Sequence, residues 1–191
     1  YQKLGAFISQ TGEPKERFMA RVGTFLAYYT KTTGWEACGM VQQAEEGDGW
    51  AVRLITNGSQ IGCAQIEFET PGYVNTEEGI HSHPAKNSVR VSLQDQRLRG
   101  SFGCGTHIRV SPYTFSTQDY HVGPGYLVVP AGFAASPKLL FQNGRGTEET
   151  VASLDERQIP SPDSGTYGAP VEQKNAQLVA MTNVVKEDVT V

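Results

Sequence analysis

The chain has 191 residues, a formal net charge of −4 and 38% hydrophobic residues. This length is sufficient for one domain with a full core, or for one domain and a tail. The weak negative charge, with scattered Lys and Arg, excludes the basic field of a nucleic-acid-binding protein. No apolar run approaches the roughly 20 residues that cross a bilayer, so no membrane span is predicted.

The first residue and the cysteines bear on the origin of the chain. Because the chain begins at Tyr1 rather than Met, we expect a processed, secreted product or a piece excised from a larger bacterial protein, and the compartment stays open. Cysteines at 38, 63 and 104 lack Cys-x-x-Cys spacing, which argues against a cysteine zinc site. Their odd number allows at most one disulfide within the chain, for which Cys63 and Cys104 are the candidates.

The hydrophobic pattern predicts one long helix and several strands, followed by a change in composition. An amphipathic helix is predicted at residues 13–31, a loop at 70–79 and a short helix at 92–100. The predicted strands cover residues 35–41, 50–56, 61–68, 80–83, 106–111, 126–130 and 138–142.

From residue 144 the chain becomes rich in Gly, Ser and Pro. Residues 144–176 are predicted to be a linker or an extended segment that wraps around the domain. Residues 177–191 end in a β-prone run that could pair with a partner chain. The pattern therefore divides the chain into a domain at 1–143 and a linker-like tail at 144–191.

The tetrapeptide His81-Ser82-His83-Pro84 contains two of the four histidines. In a strand, side chains two residues apart point to the same face, and Pro84 ends the ladder. The spacing therefore indicates two imidazoles in one cavity, where their ring nitrogens could hold a transition metal. Two adjacent surface histidines are the alternative interpretation.

A metal held by two histidines needs a third protein ligand, and a carboxylate is the expected one. Two Ser-x-x-Asp stretches follow the histidines, Ser92 to Asp95 and Ser116 to Asp119. Capping of a helix start would also explain either stretch. Upstream, Glu36 at a strand start could act as general base and then general acid, or could be an ordinary exposed glutamate.

Taken in order, Glu36-Ala37-Cys38-Gly39, His81-Ser82-His83-Pro84 and Ser-x-x-Asp resemble the JAMM (MPN-plus, JAB-like) zinc metalloproteases. The resemblance covers about residues 13–142 and includes the helix before Glu36. It implies an α/β fold with a cytidine-deaminase-like β-sheet flanked by helices, here with an extended C-terminal tail. The segments 115–119 and 126–132 also resemble a branch of the family found in bacterial secreted and polymorphic-toxin proteins.

In that family two histidines and an aspartate ligate zinc, and water fills the fourth position. The resemblance thus implies Zn²⁺ as the cofactor, held by His81, His83 and Asp119. Asp119 is favoured because the sequence around it resembles the toxin-type branch, and Asp95 stays the alternative because its spacing is closer to the compact members.

The family glutamate takes a proton from the water and delivers it to the leaving amine, and the serine stabilises the oxyanion. These roles fall to Glu36 and to Ser116, with Ser92 as the alternative. The resemblance implies a metallopeptidase or isopeptidase that hydrolyses an amide bond in a protein or peptide, including substrates with a ubiquitin-like tail. A metal-free binding or assembly module of the same fold, or an effector or toxin domain, is the alternative.

Overall fold

The computed structural model describes residues 1–163, 165–171, 180–181 and 183–188. The helices are α1 (Lys15–Thr33), α2 (Leu93–Leu98) and α3 (Thr117–Val122). The strands are β1 (Gln2–Ile8), β2 (Cys38–Ala44), β3 (Trp50–Thr56), β4 (Gly62–Cys63), β5 (Tyr73–Ser82), β6 (Ser88–Arg90), β7 (His107–Ser111), β8 (Gly125–Val129), β9 (Lys138–Gln142), β10 (Glu149–Ser153), β11 (Ala180–Met181) and β12 (Asn183–Asp188).

The centre of the fold is a seven-stranded sheet in the order β1-β3-β2-β5-β8-β9-β10. Strands β5 and β8 run parallel, and the other neighbours are antiparallel. Two smaller sheets, β11-β4 and β12-β7-β6, accompany it. The predicted α/β class is therefore confirmed at this level, as a mixed sheet flanked by few helices. No helix in the described ranges is long and apolar enough to cross a membrane.

Helix α1 covers one face of the main sheet. Its apolar stripe includes Phe18, Val22 and Leu26, which are fully buried and belong to one core cluster with Ile80 and Val128 of the sheet. Burial of each such side chain contributes about 1.5–3 kcal/mol. The helix starts and ends two residues later than predicted, and Gly34 terminates it in the left-handed conformation with φ 77°.

The opposite face of the sheet carries the histidines. Ser82 points toward α1, where its hydroxyl lies 2.6 Å from the hydroxyl of Thr30. Because side chains alternate along a strand, His81 and His83 project from the other face. On that side α3 approaches the end of β5, where Asp119 Oδ2 lies 3.4 Å from His81 Nε2.

Several predicted elements differ from the structure. The predicted loop 70–79 is wrong from Tyr73 onward, because β5 begins there and pairs with β2. The first residues of β5 are too polar to show the apolar pattern by which a strand is predicted. The predicted strand 61–68 is reduced to β4, and β1 was not predicted. The linker prediction for 144–176 is wrong at β10, which adds an edge strand to the main sheet.

The C-terminal prediction is only partly within the described residues. Strands β11 and β12 pair with β4 and β7 of the same chain. Residues 172–179, 182 and 189–191 lie outside the described residues, as does residue 164. The division of the chain into domains at 143 and 144 stays a prediction.

The disulfide joins Cys38 to Cys63, so the pairing of Cys63 with Cys104 considered from sequence is wrong. The sheet brings β2 and the segment after β3 together, with 6.1 Å between the two Cα atoms. Both half-cystines are buried, whereas Cys104 is a free, exposed thiol. Sequence spacing could not select this pair, because it depends on how the strands pack.

We expect the double variant Cys38→Ala/Cys63→Ala to lower the free energy of unfolding by about 3 kcal/mol, because the unfolded chain loses a cross-link. Urea denaturation would measure the loss, with Cys104→Ala as the near-neutral control. In the unreduced protein, iodoacetamide should label Cys104 alone, as read by mass spectrometry of a digest. Labelling of Cys63 before reduction would contradict this pairing.

Candidate metal site

Two buried imidazoles meet at the end of β5. His81 is placed between β2 and β8, opposite Cys38 on one side and Leu127 on the other. The backbone N–H of His83 donates to the Val128 carbonyl at 3.1 Å, which holds the residue after the strand in line. The two residues are only 4% and 2% exposed, and their Nε2 atoms lie 3.2 Å apart. The interpretation as two adjacent surface histidines is therefore wrong.

A second contact fixes the orientation of one ring. His83 Nδ1 lies 3.1 Å from the carbonyl oxygen of Pro112. Because a carbonyl oxygen can only accept, Nδ1 is the protonated nitrogen of this ring. In the neutral ring the lone pair is then on Nε2, which faces His81. A ring nitrogen anchored in this way is the usual arrangement of a metal-ligating histidine.

Glu36 completes a group of three potential ligands. It lies two residues before Cys38, the first residue of β2, and its backbone N–H donates to Ser59 O at 2.8 Å. The residue is fully buried, so the exposed-glutamate interpretation is wrong. Ligand atoms of Glu36, His81 and His83 lie within 4.8 Å of one another. Within the described part of the chain, this is the only group of three or more that meets that distance.

Asp119 approaches the same site from α3. Its Oδ2 lies 3.4 Å from His81 Nε2 and also accepts the backbone N–H of Ser116 at 2.8 Å. In return, Ser116 Oγ accepts the backbone N–H of Asp119 at 3.2 Å, which forms a capping box. The other carboxylate oxygen, Oδ1, is buried without a hydrogen-bond partner in the described protein. This oxygen is therefore available to a ligand.

The charges of the site are coupled. Burial disfavours the imidazolium of His81, but the carboxylates of Asp119 and Glu36 outweigh burial and raise the pKa of His81. Burial likewise opposes ionisation of Asp119, but His81 and His83 outweigh it, and the pKa of Asp119 falls below its ordinary value. The Asp119 carboxylate and the His81 imidazole thus stabilise each other's charged forms.

Asp95 serves a different purpose. It is fully buried, and it forms a second capping box with Ser92 at the start of α2. Its Oδ1 accepts the Ser59 hydroxyl and the Gln60 backbone N–H, both at 2.7 Å, and its Oδ2 accepts the Ser92 N–H at 2.8 Å. Asp95 therefore ties α2 to the loop before β4. The structure brings Asp119, and not Asp95, to His81.

Two separations in this site resemble those between neighbouring ligands of a tetrahedral metal ion, and the group of three within 4.8 Å contains Glu36 and not Asp119. Zinc–nitrogen and zinc–oxygen bonds of about 2.0–2.1 Å in a tetrahedron place neighbouring ligand atoms about 3.4 Å apart. The observed separations are 3.2 Å between the two imidazole nitrogens and 3.4 Å between His81 and Asp119. Two neutral imidazoles and a carboxylate form a donor set typical of catalytic zinc sites.

Two residues near the site were not predicted from sequence. Gln65 lines a cavity of about 20 Å³ together with His81 and Asp119, a volume that accommodates about one water molecule. Arg99 donates to Ile61 O at 3.3 Å, and burial lowers its pKa against the opposing effect of the Glu36 and Asp119 carboxylates. Neither residue belongs to a motif, so nothing in the sequence distinguishes it.

We expect Asp95→Ala to lower the free energy of unfolding by about 3 kcal/mol at neutral pH, because buried donors lose their acceptor. The hydrogen bonds that Asp95 accepts outweigh burial and hold its pKa below the ordinary value. Its contribution is thus complete above about pH 4 and is lost as the pH falls through its folded-state pKa. The stability gap between wild type and Asp95→Ala, measured by urea denaturation, should narrow in that acid range, and a constant gap would contradict this role.

No protein-family model matches the chain, and no curated protein or solved structure is significantly similar to it. Assignment of the chain to a family therefore depends on the motif residues and on the site that they form.

Proposed function

We propose that the chain is a zinc-dependent peptidase or isopeptidase of the JAMM (MPN-plus) type. The observation that carries the proposal is the buried group of Glu36, His81 and His83, with two Nε2 atoms 3.2 Å apart and Asp119 at 3.4 Å from His81. Water-exposed histidines have no reason to converge in this way. Buried ones need compensation for the polar atoms that they bring into the core.

His81, His83 and Asp119 would hold the ion, and Glu36 would remain beside it. When bound, zinc supplies a Lewis acid and lowers the pKa of a coordinated water to about 7. His83 is oriented for this task by Pro112 O, and Asp119 by the capping box of α3. The cavity next to His81 and Asp119 has room for a water-sized molecule.

Glu36 would move the proton. Its carboxylate lies within 4.8 Å of the imidazole nitrogens and is screened from bulk water. It can accept a proton from the attacking water and return it to the leaving amine, as a general base that becomes a general acid. The backbone of Glu36 is fixed on both sides, by Ser59 O and by the Thr56 hydroxyl, which donates to Glu36 O at 2.7 Å.

Ser116 would stabilise the developing oxyanion. Its hydroxyl oxygen is held by the Asp119 N–H, so the group stays next to the third ligand. The substrate would be an amide bond in a protein or peptide, with a ubiquitin-like tail as one substrate type. We also propose that the sheet has a cytidine-deaminase-like arrangement. The chain would then be related to the bacterial toxin-type branch of the family.

Purified protein should contain close to one zinc per chain, and His81→Ala should lose both zinc and amide hydrolysis. The reason is that one imidazole cannot replace two in a tetrahedral set. Elemental analysis and a fluorogenic peptide assay would measure the two losses. His121→Ala is the matched control, because His121 is exposed on the helix that carries Asp119.

The same assays separate the two aspartates. Asp119→Ala should lose zinc. Asp95→Ala should keep the metal although its free energy of unfolding is lower than that of wild type. Full amide hydrolysis by His81→Ala or by Asp119→Ala would refute the proposed function.

Glu36→Gln should retain zinc but reduce the hydrolysis rate by about 10²–10⁴-fold, because the amide keeps the shape of the side chain and cannot accept the proton. Zinc content and turnover must be measured on the same preparation. Loss of zinc in Glu36→Gln would instead make Glu36 a ligand, in agreement with its place in the group of three.

A further inference from the structure

Helix α3, which carries Asp119, is too short to hold its own position. It has six residues, from Thr117 to Val122. The first turn of a helix fixes three residues for one hydrogen bond, so a helix of this length needs contacts with the rest of the fold. A metal ligand must nevertheless be held within about 0.5 Å of its working position. The contacts that fix α3 therefore decide where Asp119 lies.

The turn between β9 and β10 supplies such contacts. This turn, residues 142–148, is named here the brace turn. At the start of α3, Arg145 Nη2 donates to Thr117 Oγ1 at 3.2 Å. In the middle of the helix, the Tyr120 hydroxyl donates to Glu148 Oε1. The guanidinium of Arg145 also lies 4.6 Å from the centroid of the Tyr120 ring, a cation–π contact.

The brace turn also holds the residue after the helix, and it is itself well connected. Gln142 is buried, and its Nε2 donates to the carbonyl of Gly123 at 2.6 Å. Its Oε1 accepts the Gly144 N–H, also at 2.6 Å. The Glu148 carboxylate accepts the Gly146 N–H at 3.0 Å. The side chains that hold α3 are thus fixed by hydrogen bonds within the turn.

The brace turn and the histidines lie against different sides of α3. Thr117 and Tyr120 are three residues apart and therefore share one face of the helix. Asp119 is rotated from Tyr120 by about 100°. Its Oδ2 lies 3.4 Å from His81 Nε2. Contacts on one face of α3 thus set the distance between the aspartate and the imidazole on another.

We propose that Tyr120, Arg145 and Glu148 are positioning residues of the metal site, which hold α3 so that Asp119 reaches the ion. The inference rests on the proposed function for the role of Asp119 as a ligand. Zinc affinity tests it without any assay of hydrolysis. The hydrogen bond between Tyr120 and Glu148 is the central contact, because it joins the middle of the helix to the turn.

The test measures the zinc affinity of the full-length protein by competition with a chromogenic chelator. Tyr120→Phe keeps the ring and removes the hydroxyl, whereas Glu148→Ala removes the acceptor. Each should weaken zinc binding about fivefold, the factor that corresponds to one hydrogen bond. The double variant should bind zinc as well as either single variant, because both changes break the same bond. Tyr28→Phe is the matched control, since Tyr28 is exposed on α1, and should match wild type.

Two further variants separate positioning from a general loss of stability. Glu148→Gln should keep most of the zinc affinity, because a carboxamide oxygen still accepts from the Tyr120 hydroxyl. Arg145→Ala should weaken zinc binding by a similar factor to Tyr120→Phe, and it is the second route if Tyr120→Phe does not fold. A purely structural role would instead lower the urea midpoint of the metal-free variants and leave the zinc affinity of the folded protein unchanged.

The outcomes separate this proposal from the hydrolase. Weaker zinc binding in Tyr120→Phe and Glu148→Ala, with no amide hydrolysis by wild type or any variant, would support the brace turn and refute the hydrolase. Zinc affinity equal to wild type in Tyr120→Phe and Arg145→Ala, together with amide hydrolysis, would overturn the positioning role and leave the hydrolase standing. Losses that multiply in the double variant would mean that Tyr120 and Glu148 act separately, which also overturns the proposal.

Discussion

Burial of two imidazoles and two carboxylates at the end of one strand is the constraint on which this structure depends. Such groups are costly to remove from water unless they compensate one another. Here the compensation is mutual, because Asp119 raises the pKa of His81 and the imidazoles lower that of Asp119. The surrounding fold keeps the four groups together, through β5 for the histidines, the start of β2 for Glu36 and the capping box of α3 for Asp119.

The histidine pair and Glu36 could be identified from sequence because the information is local. His-x-His before Pro84 places both rings on one face of any strand, and the structure has them there. Helix α1 follows from an apolar stripe of period 3.6, and β9 has the limits that were predicted. These elements are defined by residues close to one another in the chain.

The remaining features depend on distant residues. The two Ser-x-x-Asp stretches form capping boxes of the same kind, so local sequence cannot tell which aspartate lies beside the histidines. Only the approach of α3 to β5 places Asp119 near His81, whereas Asp95 is surrounded by donors from the loop before β4. The polar half of β5 and the pairing partner of Cys63 were mispredicted for the same reason.

The bond between Cys38 and Cys63 also has a chemical consequence for the histidines. Thiolate sulfur is a strong zinc ligand, and Cys38 is the cross-strand neighbour of His81. As a disulfide, these two sulfurs are not available as thiolate ligands. In the reduced chain, Cys38 would be a free thiol at the strand position opposite His81. In the protein with this disulfide, the potential ligands of the site, Glu36, His81 and His83, are therefore nitrogen and oxygen donors.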